Sequence, residues 1–167
     1  MNISKILTGA LVILLWTLTP AAAQSLSNPA DIIVGNWQPS NGQSVVQIYK
    51  GRESAGEDPK KYYGRTIWLK EPNDPDTGQP KLDKNNPEES KRKNPRKGLI
   101  IMKDVAFTGT KDNLTWGEGS IYDPNNGSTY SFEATISPKN LNVLDGRGYI
   151  GVSLFGRTDT WKRLVAK

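Results

Sequence analysis

Acid, base or nucleophilic chemistry in this sequence would fall to carboxylates, lysines, tyrosines or serines. The 167 residues include no His and no Cys. That removes the Ser-His-Asp triad, the thiol nucleophile, the usual zinc site, the axial haem histidine and any disulfide. The carboxylates Asp104, Glu118, Asp123 and Glu133 are scattered, and no spacing pairs two of them as acid and base. Asp123 or Glu118 beside Tyr122 is the one arrangement left for an enzyme, and no catalytic residue is assigned. The segment Asp74-Pro75-Asp76-Thr77-Gly78 begins like a calcium loop but lacks the later ligands and closing Glu of an EF-hand, so no metal and no cofactor is expected. Asn113-Leu114-Thr115 and Asn126-Gly127-Ser128 match the glycosylation pattern, and the second reads better as a hairpin.

Three groupings point to binding instead. Ile48, Trp68, Trp116, Tyr130, Phe132, Val143 and Tyr149 are candidates for an inward-facing, aromatic lining. Such a lining suits a small-molecule cavity, where apolar area holds the ligand and a few polar groups orient it. The same residues would equally fill a barrel, and around Trp68 both strand faces carry large side chains. Tyr122 and Asp123 would meet a ligand's polar head at a rim. Alternatively Asp123, Pro124 and Gly127 are turn residues: Asp accepts backbone N–H groups, Pro fixes φ and Gly takes positive φ. Finally, residues 81–97 hold seven basic side chains against three acids, a local excess of +4. Lys91, Arg92, Lys93, Arg96 and Lys97 could face an anionic envelope surface, or simply keep a solvated loop in solution. No aromatic interleaves this run as a stacking platform for nucleic acid would require.

The elements that must position these residues are strands. After residue 24 short β-rich runs alternate with Gly, Pro, Asn and Asp clusters, predicting strands near 33–38, 43–50, 61–69, 99–108, 113–122, 128–136, 141–150 and 157–165. The alternation is clearest where Tyr130, Phe132, Ala134 and Ile136 share one face and Ser131, Glu133 and Thr135 the other. Pro39–Gly42, Asp123–Gly127 and Ser137–Asn140 are short links, and short links force antiparallel neighbours. Asn126-Gly127 predicts a type I′ turn. The expectation is all-β: an eight-stranded up-and-down barrel, with a two-sheet sandwich as the other architecture. One polar connection, residues 71–97, interrupts the pattern between the third and fourth strands.

In a closed barrel the first and last strands touch. Gly35-Asn36-Trp37 would then meet Trp161-Lys162-Arg163, with the Arg163 guanidinium over the Trp37 indole closing one end. The N-terminus reads as a leader: Lys5, an apolar run from Ile6 to Leu18, Pro20, then Ala21-Ala22-Ala23 before Gln24. That apolar run is shorter than a spanning helix and matches a signal peptide over residues 1–23, leaving 24–167 as the domain, periplasmic or secreted, with no transmembrane span after processing.

Gly35-Asn36-Trp37, Val46-Gln47-Ile48-Tyr49, Tyr63–Leu69, Asp83-Lys84-Asn85-Asn86-Pro87, Gly119–Pro124, Gly127–Ser131 and Gly156–Arg163 occur in this order along the chain. In these stretches it resembles the bacterial lipocalin-like family known as domain of unknown function 2147. The resemblance implies an exported barrel of calycin type and no particular reaction. Many relatives carry a Cys pair, one of them near the position of Lys97; this chain has neither. The expected function is therefore non-catalytic binding of a small hydrophobic or amphipathic ligand in a barrel, with an envelope interaction module working through residues 81–97 as the other reading.

Overall fold

Turn residues divide this chain into strands too short to wander, and each has only its neighbours to pair with. The computed structural model describes residues 28–165; the leader expected over residues 1–23 lies outside them. Eight strands follow: β1 (Gly35–Gln38), β2 (Ser44–Lys50), β3 (Tyr62–Leu69), β4 (Ile100–Phe107), β5 (Leu114–Asp123), β6 (Ser128–Ser137), β7 (Asn140–Tyr149) and β8 (Arg157–Leu164). Each pairs antiparallel with the next, and β8 returns to β1, giving a closed barrel. Closure leaves no unpaired sheet edge. The barrel, not the sandwich, is the architecture.

Up-and-down order puts the β1–β2, β3–β4, β5–β6 and β7–β8 connections at one end, with the other turns at the opposite end. That opposite end is plugged by a short 3-10 helix, Pro29–Ile33. Asn28 starts it, its side chain accepting the Ala30 N–H, and Pro29 supplies a preset φ at the first position. Period-two burial on β6 (Phe132, Ala134 and Ile136) continues into a core with Ile33, Trp37, Ile48, Met102, Leu114, Trp116 and Leu144. These fill the plugged half of the barrel.

The β5–β6 link differs from the predicted type I′ turn. A type I′ turn needs positive φ at both central residues. Here Gly127 has φ +75° while Asn126 is not left-handed. Four residues, Pro124–Gly127, bridge the Asp123–Ser128 pair, and the Gly127 N–H donates to the Asp123 carbonyl at 2.9 Å. Gly127 is required twice over, because a Cβ there would lie 2.1 Å from the Asn85 carbonyl oxygen of the long connection.

Candidate functional site

The plugged end is built from side-chain donors aimed at the backbone of the 3-10 helix. Trp37 Nε1 donates to the Ile33 carbonyl at 2.8 Å, and Trp116 Nε1 to Ala30 at 3.0 Å. Trp37 and Arg163 are register partners across β1 and β8, and the guanidinium carbon lies 4.1 Å from the indole centroid. Arg163 also donates to the Val34 carbonyl at 2.7 Å, to Leu141 at 3.0 Å and to Ile32. Gly35 makes room for it, since a Cβ there would stand 2.6 Å from Arg163 Nη1. Asp31 completes the plug. It accepts from the Tyr62 hydroxyl at 2.7 Å and pairs with Lys50 at 3.0 Å. Burial pushes the Asp31 carboxyl up, but the Tyr62 and Lys50 hydrogen bonds and the Lys50 charge outweigh it and hold its pKa below the ordinary value.

The other end is open, and a cavity of about 540 Å³ descends from it into the barrel. Phe132 and Trp161 form its floor, with ring centroids 6.3 Å apart. Ile101, Ile121, Leu69 and Tyr130 add apolar wall. The β7 wall carries Gly146 and Gly148 at inward positions: the Phe132 ring covers Gly146, where a Cβ would stand 3.1 Å from it, while Gly148 leaves the wall open, a Cβ there meeting nothing nearer than 3.5 Å. Polar groups gather at the rim: Asp123, Asn126, Arg157 and Asp159, with Lys81 and Arg96 from the β3–β4 connection. Asp159 accepts the Trp161 Nε1–H at 2.9 Å and so joins floor to rim. The cavity is therefore apolar below and charged above, a shape for one amphipathic molecule.

Of the residues predicted to line a cavity, Tyr122, Tyr130 and Phe132 do so. Ile48 and Trp116 point inward but belong to the packed, plugged half. Trp68, Val143 and Tyr149 are corrections, because none lines the cavity. The bulge at Val45/Val46 pairs Val46 with Thr66 but Val45 with Trp68, so Ile67 is the extra residue and the parity of β3 flips. Trp68 is 44% exposed as a result. On β7 the inward set is Leu144, Gly146 and Gly148, which turns Val143 and Tyr149 outward. The Tyr149 hydroxyl donates to Glu133 at 3.1 Å on that outer face, and this hydrogen bond, with some burial and the Glu133 charge, raises its pKa. Trp161 was expected at the closure; it sits on the cavity floor, two residues along β8 from Arg163. Sequence reading missed Gly146, Gly148 and Asp159. Inward glycines at every second position of a strand were the legible signal.

Tyr122 reaches the cavity but has its hydroxyl committed elsewhere. It donates to Asp83 Oδ1 at 2.8 Å, while Asn86 Nδ2 donates to Asp83 Oδ2 at 2.6 Å. Asp83 is wholly buried. Burial, then the Asp83 hydrogen bond and charge, push the Tyr122 phenol up to about 12. Asp123 is a turn acceptor, its Oδ1 taking the Asn125 N–H at 2.8 Å, while Pro124 begins the turn. Glu118 is exposed in a left-handed bulge of β5 (φ +61°). These three residues do not assemble an acid–base site.

The basic connection is folded onto the barrel. Asp83 N–H donates to the Asn94 carbonyl, and Arg96 N–H to that of Lys81. Lys91 pairs with Glu88 at 2.6 Å, and Arg92 Nε donates to the Asn86 carbonyl at 2.8 Å. Arg96 donates to the Leu82 and Pro124 carbonyls and to Asn125 Oδ1 at 2.8 Å, pinning the connection to the β5–β6 turn. Three of the five cations expected to face an envelope surface thus have partners within the protein, although Lys91 and Arg92 are exposed and only Arg96 is half-buried. Lys93 and Lys97 are exposed.

A closed eight-stranded antiparallel barrel, plugged at one end and hollow at the other, is a lipocalin-like fold. It is similar to a solved structure described as protein HP1028 from the human pathogen Helicobacter pylori, which belongs to the lipocalin family: TM-score 0.60, 25% identity, covering 79% of this chain and 82% of that one. The family described as uncharacterized protein conserved in bacteria (DUF2147) matches residues 35–163, and the chain belongs to it. No curated protein matches. Among the described residues no helix is long and apolar enough to cross a membrane, and no group of three or more His, Cys, Asp or Glu is placed to hold a metal ion.

Proposed function

We propose that this protein binds one small amphipathic molecule in the open half of its barrel, without catalysis, after export and removal of residues 1–23. The observation that carries this reading is the cavity of about 540 Å³ with an aromatic floor and a charged rim. That volume falls within the ~300–1,000 Å³ range of ligand pockets. Because the plugged half is packed, the ligand is short: its apolar part rests on Phe132 and Trp161, and its polar head meets Arg157 and Asp159. Membership of a lipocalin-like family supports binding as the general task; fold alone does not name the ligand.

The test is a panel of environment-sensitive fluorescent amphiphiles of graded chain length, titrated against the protein and a Gly148→Leu variant. A Cβ at Gly148 would make only ordinary contacts with Tyr130 and Ile121, at 3.5 and 3.7 Å, so the larger side chain enters the cavity without forcing the backbone. Saturable binding by short-chain probes, weakened at least ~10-fold in the variant by lost apolar contact and exclusion, is expected. Binding by no probe, or equal binding by both proteins, rejects the proposal. Export is tested separately, by N-terminal sequencing of the protein recovered from the periplasmic fraction or medium; an intact Met1 rejects that part.

A further inference from the structure

Seven residues, Ile150–Gly156, join β7 to β8 at the open end of the barrel. Four are large and apolar, and they stand in water: Ile150 is 72% exposed, Val152 58%, Leu154 80% and Phe155 80%. The backbone beneath them is clasped. Arg147 donates to the Ser153 carbonyl at 2.7 Å, to the Leu154 carbonyl at 3.1 Å and to Thr158 Oγ1 at 2.9 Å. The Ser153 hydroxyl donates to Glu133 at 2.9 Å, and Ser153–Phe155 form a 3-10 turn. A polar scaffold on the outer wall holds apolar side chains outward, and contiguous exposed apolar surface marks a contact site.

We propose that this loop is a membrane-docking tip, which sinks Ile150, Val152, Leu154 and Phe155 into the headgroup–acyl boundary of an anionic lipid surface and sets the cavity mouth against it. Shape favours lipid over protein. A stable protein interface takes ~20–30 residues a side, and a single seven-residue tip does not supply them; a bilayer accepts apolar side chains singly. Charge favours an anionic surface. From Gly146 to Thr158 there are two arginines and no carboxylate, and the rim turns Pro39–Gln43 and Pro124–Gly127 are uncharged; the rim carboxylates Asp123 and Asp159 lie one residue further down β5 and β8, accepting the Asn125 N–H and the Trp161 Nε1–H. Arg157, at the base of the loop, is exposed and has no ion pair among the described residues. The loop is also continuous with the cavity, since Gly148 and Arg157 on either side of it are cavity wall. An amphiphile leaving the barrel would meet the docking loop first.

The chain has no cysteine, so a single Phe155→Cys carries an environment-sensitive fluorophore to the tip, and Lys139→Cys carries it to the opposite end. Both full-length proteins are mixed with phosphatidylcholine vesicles, with and without phosphatidylglycerol, some bearing acyl-chain nitroxide quenchers. The label at 155 is expected to shift blue and be quenched by the phosphatidylglycerol vesicles, and the label at 139 to stay in water. Adding Ile150→Ser and Leu154→Ser to the labelled protein should lower the quenching-derived partition at least ~10-fold, both side chains being largely solvated beforehand. A silent label at 155 overturns the proposal. So does equal quenching at both positions, or a concentration-dependent shift without lipid, which would make a second copy the occupant. Docking by a protein that binds no amphiphile would reject carriage and leave the docking tip standing.

Discussion

Removing the Arg163 side chain should unseat the plug. Arg163 makes three hydrogen bonds to main-chain carbonyls, those of Ile32, Val34 and Leu141, and a face contact with Trp37. A hydrogen bond involving a charged group contributes ~1.5–3 kcal/mol when buried and less when solvated. Only the bond to Ile32 is partly buried; the other two are exposed. Counting ~1.5 kcal/mol for the first, ~0.5–1 for each of the others and ~1 for the cation–π contact gives about 4 kcal/mol for Arg163→Ala. For a domain of this size that is a fall of ~10–20 °C in the thermal midpoint. Arg163→Lys keeps the charge over the indole but cannot fork to three carbonyls, and should lose about half as much. Gly35→Ala supplies the internal control. Its Cβ would collide with Arg163 Nη1 and strain a backbone at φ +146°. In the Arg163→Ala background the collision is gone and only the strain remains, so the two substitutions should be strongly non-additive. Urea denaturation followed by tryptophan fluorescence measures the unsubstituted protein and these four variants. A loss under ~1 kcal/mol for Arg163→Ala, or simple additivity with Gly35→Ala, would refute the account of the closure.

Other predictions follow from the plug, the clasped connection and the titrating groups. Trp116→Phe keeps the core filled but drops the N–H bond to Ala30, and should cost ~0.5–1.5 kcal/mol in urea denaturation, with a null result showing that the indole only packs. Asp31 titrates below its ordinary 3.8 in the folded protein, so its stabilisation is present above pH 3.8 and fades as the pH falls through the lower folded value. Asp31→Asn should therefore flatten the acid side of the stability profile and, because the Asp31 hydrogen bond and charge add to burial in raising the Tyr62 phenol, weaken its alkaline side as well. Tyr122 at about 12 works in the opposite sense: its stabilisation is full below pH 10 and is lost as the pH rises toward 12. Asp83→Asn should return one tyrosine to earlier ionisation in an ultraviolet titration, and an unchanged curve would contradict the hydrogen bond. Arg96→Ala should free the β3–β4 connection from the β5–β6 turn and speed proteolysis between residues 84 and 97 several-fold, without altering the barrel's circular dichroism.

Local rules were enough to reveal the strands, because turn chemistry and period-two alternation act over a few residues. The link Pro39–Gly42, the Asp123–Gly127 turn and the Tyr130–Ile136 alternation each mark their element without reference to the rest of the chain. Closure was legible too, since eight strands joined mostly by short links, with Gly35-x-Trp37 at one end and Arg163 at the other, have few other ways to bury their faces. The lining was less legible. Trp68 faces outward because one inserted residue in β3 reverses its parity, and a bulge leaves no residue-type mark in Thr66-Ile67-Trp68. The plug could have been found: Asn28-Pro29 is a helix-start signal of ordinary strength.

The sequence by itself determined the fold class and the absence of His and Cys chemistry, because these depend on composition and on near neighbours along the chain, and it placed Trp37 against Arg163 only through the closure that this fold class requires. Only the tertiary structure decided that half the barrel is hollow, that Arg96 and Asp83 fold the basic connection down, and that four apolar side chains stand at the mouth. Each of these depends on distances between residues far apart in sequence. Whether a cavity is empty is settled by what the surrounding strands fail to supply, and in this barrel that is the missing side chain of Gly148, beside Phe132 on the neighbouring strand β6.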